Sequence, residues 1–588
     1  MRPIVQGYFG AVTSTHWLGT AVGMAVLERG GNAFDAAVAT GLVLQVVEPH
    51  LNGPGGDLPA IIHAGGETRV LCAQGPAPAG ATIAHYRGQG LKLIPGNGLL
   101  ATVIPGAFDG WLTLLRDYGT MELAEVLEPA IFYAERGHPI LPRAAAAIAG
   151  LAEFFRAHWP GSAALWLPDG QPPQGGGNFR NPALAATWRR VLAESSGAAT
   201  REARIDAARD CFYRGFIAEQ IDAFCRQPFM DESGAAHAGV LTGDDLAGYA
   251  ATWEAPVTLD FHGWRITKAG PWTQGPAFLQ TLALMAGENL AALDPLGSEY
   301  LHLLTEAMKL AFADREAYYG DPDFSDIPVQ ALLSPEYNAA RCALIGDRAS
   351  YDLRPGVVPG FDAQVAHMRG LLDRLSLPEG AVYEPTMAHL GDAPRGDTVH
   401  LDVIDRWGNV VSATPSGGWL QSSPVIPGLG FCLNSRAQMF WLEEGAPTSL
   451  APGRRPRTTL TPGFATTPDG AHLAFGTPGG DQQDQWQLQF FLRHAVFGMD
   501  LQRAIDAPVL HTLHIPSSFY PRSRQPGQIA VESDMPAASI EGLRQRGHDV
   551  TLIPAQSAAR LTAARRDPDG LVSAAATSRM GQAYAMGR

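Results

Sequence analysis

One stretch limits what this chain can become more than any other. Thr398-Val399-His400-Leu401-Asp402-Val403-Ile404-Asp405 alternates, with Val399, Leu401 and Val403 on one face, as a half-buried strand does. Arg406-Trp407-Gly408 supplies a turn, and Asn409 to Thr414 runs back as a second strand. Facing Asp405 with Asn409 across an antiparallel pair puts Ser416 opposite Thr398. A threonine at a strand's first position thereby meets a serine hydroxyl. The residues before it, 376–397, have little period and many breakers; they read as an exposed linker that ends on the flexible, acidic Gly396-Asp397.

Around this hairpin lie 588 residues, enough for several domains or one large enzyme fold at roughly 100–200 residues per domain. Hydrophobic residues make up 46%, so a sizeable core is available, and only 17% are charged, which argues against a disordered chain. The formal charge of −15 repels phosphate backbones and disfavours nucleic-acid binding. No apolar stretch is long enough to span a membrane. Five scattered cysteines, never spaced as CxxC, fit reduced and mostly buried thiols. With no long apolar segment after Met1, the expected location is cytoplasmic. His511 and His514 are closely spaced but have no third ligand nearby, so neither a metal nor another cofactor is expected.

Upstream, Leu18 to Arg29 reads as a helix stopped by Gly30-Gly31, and Asn32 caps a second helix from Ala33 to about Val47. A tight loop, Asn52 to Asp57, precedes a short strand at Ala60–His63. Its glycines match neither nucleotide-binding pattern. Amphipathic helices are expected over Gly106–Tyr118, Leu123–Arg136 and Glu299–Tyr319. Residues 160–200 and 226–245, rich in Gly, Pro and polar residues, suggest surface loops.

The junction Gly396-Asp397-Thr398 with Asp405 and Gly408-Asn409 resembles the small-subunit start of the gamma-glutamyltransferase family of N-terminal nucleophile (Ntn) hydrolases. Other motifs follow in that family's order: Gly30-Gly31-Asn32-Ala33-Phe34-Asp35-Ala36-Ala37, Val47-Glu48-Pro49-His50 with Gly55-Gly56-Asp57, Arg455-Pro456-Arg457-Thr458-Thr459, and Gly476-Thr477-Pro478-Gly479-Gly480. The resemblance implies an α/β fold, a four-layer αββα sandwich formed jointly by two autoprocessed subunits. Residues 1–397 would be the large subunit and 398–588 the small catalytic one. It further implies that Asp397-Thr398 is the processing bond and Thr398 the nucleophile, that Ser416 orients it, and that Gly479 and Gly480 form an oxyanion hole. A freed α-amino group on Thr398, with a reference pKa of about 7.7–8.0, would let one residue supply both nucleophile and base. His400 is expected to be a packed core residue.

The same alignment exposes departures. Gln74 stands where the family places an arginine for the substrate α-carboxylate, and Arg436 and Met439 stand where it binds the α-amino group; Thr458 and Thr459 replace paired serines. Arg436 therefore either accepts a different carboxylate, together with Arg457, or makes a structural ion pair. Trp419, Trp441 and Trp486 are candidates for an apolar acyl pocket, and the short span from Met439 to Arg455 suggests an open one. The expected activity is hydrolysis of a small carboxylated or acylated amide, as in the cephalosporin acylase and oxamate amidohydrolase relatives. Alternatives are a gamma-glutamyltransferase or glutathione hydrolase with an altered glutamate site, and an unprocessed ligand-binding homologue. Expected partners are the amide substrate and the two subunits of one precursor, with a homo-oligomer as a further option.

Overall fold

In the computed structural model, residues 2–374, 398–581 and 583–588 are described. The expected linker at 376–397, with Asp397, lies outside the described residues. The hairpin forms in the register read from the sequence. Strands Leu401–Asp405 and Val410–Ala413 pair antiparallel with Leu401 opposite Ala413, and an isolated bridge joins Thr398 to Ser416. Between ladder and bridge lies Pro415, which has no N–H to donate, so the regular strands are shorter than expected. At the other end Asp405 holds the turn: its carboxylate accepts from the backbone N–H groups of Trp407 and Asn409 (2.9 and 3.0 Å), while Gly408 takes φ +86°.

The hairpin occupies the middle of a seven-stranded sheet. Its order is Tyr584–Gly587, Gly10–Ser14, Leu401–Asp405, Val410–Ala413, Leu58–Ala64, Glu67–Ala73 and Thr252–Glu254. A second seven-stranded sheet runs Val5–Gly7, Val572–Ala576, Thr562–Arg566, His472–Gly476, Gly463–Thr466, Trp264–Lys268 and Val257–Phe261. Alternation then distributes the side chains. Val399, Leu401 and Val403 join a core with helices Trp17–Glu28, Ala33–Val47, Ala107–Tyr118 and Leu123–Arg136. Ile404 and Val410 face the other way, into a core shared with Phe464, Ala474 and Ala564 of the second sheet. A third core joins Ile266, Leu473 and Phe475 of that sheet to helices Gly275–Met285, Ser298–Tyr318 and Gln483–Ala495. The even-numbered residues that begin with Thr398 thus look into the space between the two sheets.

Helix Ala33–Val47 starts where expected, because Asn32 and Asp35 form a reciprocal capping box. Asp405 accepts a further N–H from Ala33 (2.9 Å) and ties this helix to the hairpin turn. The expected loop at 160–200 is corrected: helices Pro160–Trp166 and Pro182–Ser195 occupy much of it. The second buries Leu184, Trp188 and Val191, a helical stripe that the flanking Gly/Pro punctuation conceals.

Candidate active site

Thr398 and Ser416 are both fully buried, and the Thr398 hydroxyl donates to Ser416 Oγ at 3.3 Å. Ser416 is anchored from behind by the loop Asn52–Asp57. Its N–H donates to the Asp57 carbonyl (3.0 Å), and the Asp57 N–H donates back (2.8 Å). That approach requires bare backbone, since a Cβ at Gly56 would lie 2.0 Å from the Ser416 carbonyl oxygen. His400, two residues along the same face, bonds Thr414 Oγ1 and Asp402 Oδ1, both at 2.9 Å, and its ring lies over Gly476. It is a packed, hydrogen-bonded residue of the inter-sheet layer, as expected.

Arg436 gives the site its charge. Its Nε donates to the Asp57 carboxylate (3.0 and 3.2 Å), and its guanidinium lies 5.1 Å from the Trp419 ring centre. Asn434 fixes the bend that brings it there, accepting from the Arg436 N–H and donating to the Gly55 and Val103 carbonyls. Arg436 is 1% exposed, yet both of its terminal nitrogens, Nη1 and Nη2, have no hydrogen-bond partner. The structural ion pair of the second sequence reading is present on one edge of the guanidinium, and the other edge has no hydrogen-bond partner. Asp57 as the partner was missed; the only signal was its place in Gly55-Gly56-Asp57.

Gly479 and Gly480 lie on the second sheet's side, where strand His472–Gly476 leads through a turn towards helix Gln483–Ala495. Both have positive φ (+133° and +53°), and a Cβ at Gly479 would lie 2.2 Å from the Trp486 ring. The Thr458-Thr459 segment is tied to this turn through residues 273–274: Thr273 bridges Thr458, and Gln274 Nε2 donates to the Gly480 carbonyl (3.3 Å). Thr459 Oγ1 is buried without a partner. Below it, Lys268 Nζ bonds Thr461 Oγ1 (3.1 Å) and Gln487 Oε1 (2.7 Å), clamping this loop to the helix. Burial pulls the Lys268 ammonium down to about 8 against the opposing pull of Asp484.

Other expected residues are placed differently. Arg457 is committed to Glu316 Oε1 (2.7 Å) and Ser518 Oγ (2.9 Å), so it is no second carboxylate clamp. Burial alone would raise the Glu316 carboxyl, but Arg457 and Arg315 hold it below its usual range. Gln74 lines a cavity of about 780 Å³ with Cys72, Glu254 and Arg455, whose lining includes neither Thr398 nor Arg436. Trp419 and Trp441 lie under Arg436 and Arg522, and Trp486 lines a cavity of about 230 Å³. Thr398, Ser416, Arg436 and Thr459 are all buried, and residues 444–454 of the short span line an open cavity of about 660 Å³. His511 packs against Trp486, whereas His514 bonds the Asp352 carbonyl and the Gly527 N–H. Among the described residues His302, Glu306 and His548 cluster within 4.8 Å, but Lys309 and Arg354 already occupy Glu306 and the two rings bond each other.

The family model described as Gamma-glutamyltranspeptidase matches residues 19–586. The chain is 31% identical to the oxamate amidohydrolase proenzyme of Klebsiella pneumoniae over 98% of both chains. It superposes on the cephalosporin acylase from Bacillus halodurans with a TM-score of 0.82 and 29% identity, covering 100% of this chain and 97% of that one. For the solved structure of LmbA2991HD the TM-score is 0.93 at 53% identity, with both chains fully covered.

Proposed function

The chain belongs to the gamma-glutamyltranspeptidase family and is an enzyme of it, and on that premise we propose that it is an autoprocessing N-terminal-threonine amidohydrolase cleaving a small carboxylated amide. The observation that carries this reading is Arg436: a buried guanidinium, linked through Asp57 and Ser416 to Thr398, with both Nη groups unpartnered. Buried donors without acceptors cost free energy until an acceptor arrives, and a carboxylate meets both at once.

In maturation the Thr398 hydroxyl attacks the Asp397 carbonyl. The C–N bond breaks, the hydroxyl proton passes to the departing nitrogen, and water hydrolyses the ester. The products are a large subunit, 1–397, and a small one, 398–588, that begins with a free amine. In turnover that amine takes the hydroxyl proton while Oγ1 adds to the substrate carbonyl. The backbone N–H groups of Gly479 and Gly480 hold the oxyanion, and the proton goes to the leaving amine as its C–N bond breaks. Water then hydrolyses the acyl ester. Ser416 orients the hydroxyl, while Thr458 and Thr459 border the acyl group. Gln74 enters only through the resemblance.

Helical cores outside both sheets support a four-layer αββα arrangement. It would be built jointly by both subunits, because the 401–413 hairpin pairs with strands Gly10–Ser14 and Leu58–Ala64. Five free cysteines suit a reducing compartment, and we assign the cytoplasm. A gamma-glutamyltransferase or glutathione hydrolase is the second reading, favoured by the family match itself.

The substrate's α-ammonium separates the two. Among the described residues Asp57 is already paired with Arg436, and Met439 offers no charge, so the ammonium would meet a cation without an anion of its own. A charge left without its buried partner costs on the order of 2–5 kcal/mol, or about 30- to 5,000-fold in kcat/KM. Measured kcat/KM should therefore favour glutaryl-p-nitroanilide over γ-glutamyl-p-nitroanilide. The reverse preference would replace this reading with the second.

A further inference from the structure

We propose that the loop 517–522, between strands Leu510–Thr512 and Gln528–Glu532, sets the acyl-chain length this enzyme accepts, with Ser518 and Arg522 as its positioning residues. The inference rests on the amidohydrolase reading, which puts the acyl carboxylate at Arg436 and the oxyanion at Gly479-Gly480. Those two anchors belong to different segments of the chain, and the acyl group that fits is the one that spans them. The loop grips both segments.

At one end Ser518 holds Asp481, the residue after Gly480. The Ser518 N–H and hydroxyl donate to the two Asp481 carboxylate oxygens (2.8 and 2.6 Å). The same Oγ accepts from Nη2 of Arg457 (2.9 Å), the residue before Thr458. Ser518 is fully buried, so bulk water does not compete for these bonds. Arg315 Nη1 also donates to Asp481 (2.6 Å). Burial alone would raise the Asp481 carboxyl, but Arg315 and then Ser518 hold it below its usual range. The bonds to it are therefore charge-assisted, which makes them short and strong.

At the other end the loop holds the turn Arg436–Met439. The Tyr520 N–H donates to Gln438 Oε1 (3.0 Å), and Arg522 Nη2 donates to the Gln438 and Phe440 carbonyls (both 3.1 Å). Gln438 passes the contact on, since its Nε2 donates to the Ser435 carbonyl (3.0 Å). The Arg522 guanidinium lies 3.8 Å from the Trp441 ring centre. Arg522 itself takes φ +61°, which a bulky residue keeps only where its surroundings fix it. Asp57 orients the Arg436 side chain, and the loop fixes where the turn that carries it sits relative to Asp481.

A misplacement of about 1 Å caused far from the chemistry can cost about 10²-fold, and one methylene in a fitted pocket is worth about 10- to 200-fold. Acyl-length selectivity is therefore the property that responds most to the loop.

The test is a length series of ω-carboxyacyl-p-nitroanilides, oxalyl to adipyl, on the protein as purified. The wild type should favour one length over its neighbours by at least about tenfold in kcat/KM. Ser518→Ala and Arg522→Met should each reduce that ratio to about threefold or less. A residue that only stabilises the fold would lower every length by one factor and leave the ratio unchanged. Arg522→Met removes a buried cation, whereas Ser518→Ala removes one hydroxyl and keeps the test decisive if the other variant fails to fold. Isothermal titration with the dicarboxylates from oxalate to adipate reads the same spacing without turnover, and Ser518→Ala should flatten that series too. Ratios unchanged in Ser518→Ala, or no length preference in the wild type by either measurement, overturn the loop's role; cleavage of the amides would still leave the amidohydrolase reading in place. A dicarboxylate series flattened by Ser518→Ala, in a protein that cleaves none of the amides, keeps the loop's role and removes the amidohydrolase reading.

Discussion

At the residue scale, the Thr398–Ser416 contact is the feature read most directly from the sequence. Its legibility has a simple cause: a period-2 ladder carries register across the turn, so a correct turn fixes every pair beyond it. In the proposed mechanism Ser416→Ala removes the hydrogen bond that orients Thr398 and leaves the nucleophile itself. Processing and turnover should both slow by about 3- to 10-fold, the scale of one hydrogen bond worth roughly 0.5–1.5 kcal/mol, with circular dichroism unchanged. Unchanged rates would show that Ser416 orients nothing. Arg436 was only half legible. Its partner Asp57 lies 379 positions earlier in the chain, and no local pattern joins the two. Arg457 shows the same limit in reverse, since its basic motif gave no sign that Glu316 and Ser518 already hold it.

Among the elements, those with local punctuation matched their expected bounds: Asn32 opens helix Ala33–Val47, and helix Leu123–Arg136 has the ends its sequence suggests. Helix Pro182–Ser195 was hidden by flanking glycines and prolines although its apolar stripe has helical spacing. Asp405 is the residue on which two elements jointly depend, because its carboxylate serves the hairpin turn and the N-terminus of helix Ala33–Val47 together. Asp405→Ala would orphan the buried Ala33 N–H and the half-buried donors of the turn. We expect a loss on the order of 3 kcal/mol in urea unfolding, charge-assisted bonds being worth about 1.5–3 kcal/mol each. A loss below about 1 kcal/mol would mean that water replaces the carboxylate freely.

On the scale of the whole molecule, several histidines are buried in their neutral form. Burial holds His511 at about 3; burial, with the His138 imidazole beside it, does the same for His16, and burial with Lys309 nearby does so for His548. Their folded values lie below the reference value near 6.5, so on acidification the unfolded chain takes up protons first. Stability is therefore complete above about pH 6.5 and falls through the window down to about pH 3, each such histidine contributing roughly 1.4 kcal/mol per pH unit. Urea midpoints should drop steadily from pH 7 to pH 5, and a flat profile would contradict this burial of neutral imidazoles.

In the proposed mechanism one peptide bond, between Asp397 and Thr398, is cut, and denaturing electrophoresis with N-terminal sequencing tests this most directly. Cleavage there would divide the 62.5 kDa chain into pieces of about 42 and about 20 kDa in proportion to length. The smaller should begin Thr-Val-His-Leu, and Thr398→Ala should leave one band. A wild-type chain that stays whole after long incubation, or a smaller chain that begins elsewhere, would contradict the claim that Thr398 is the nucleophile.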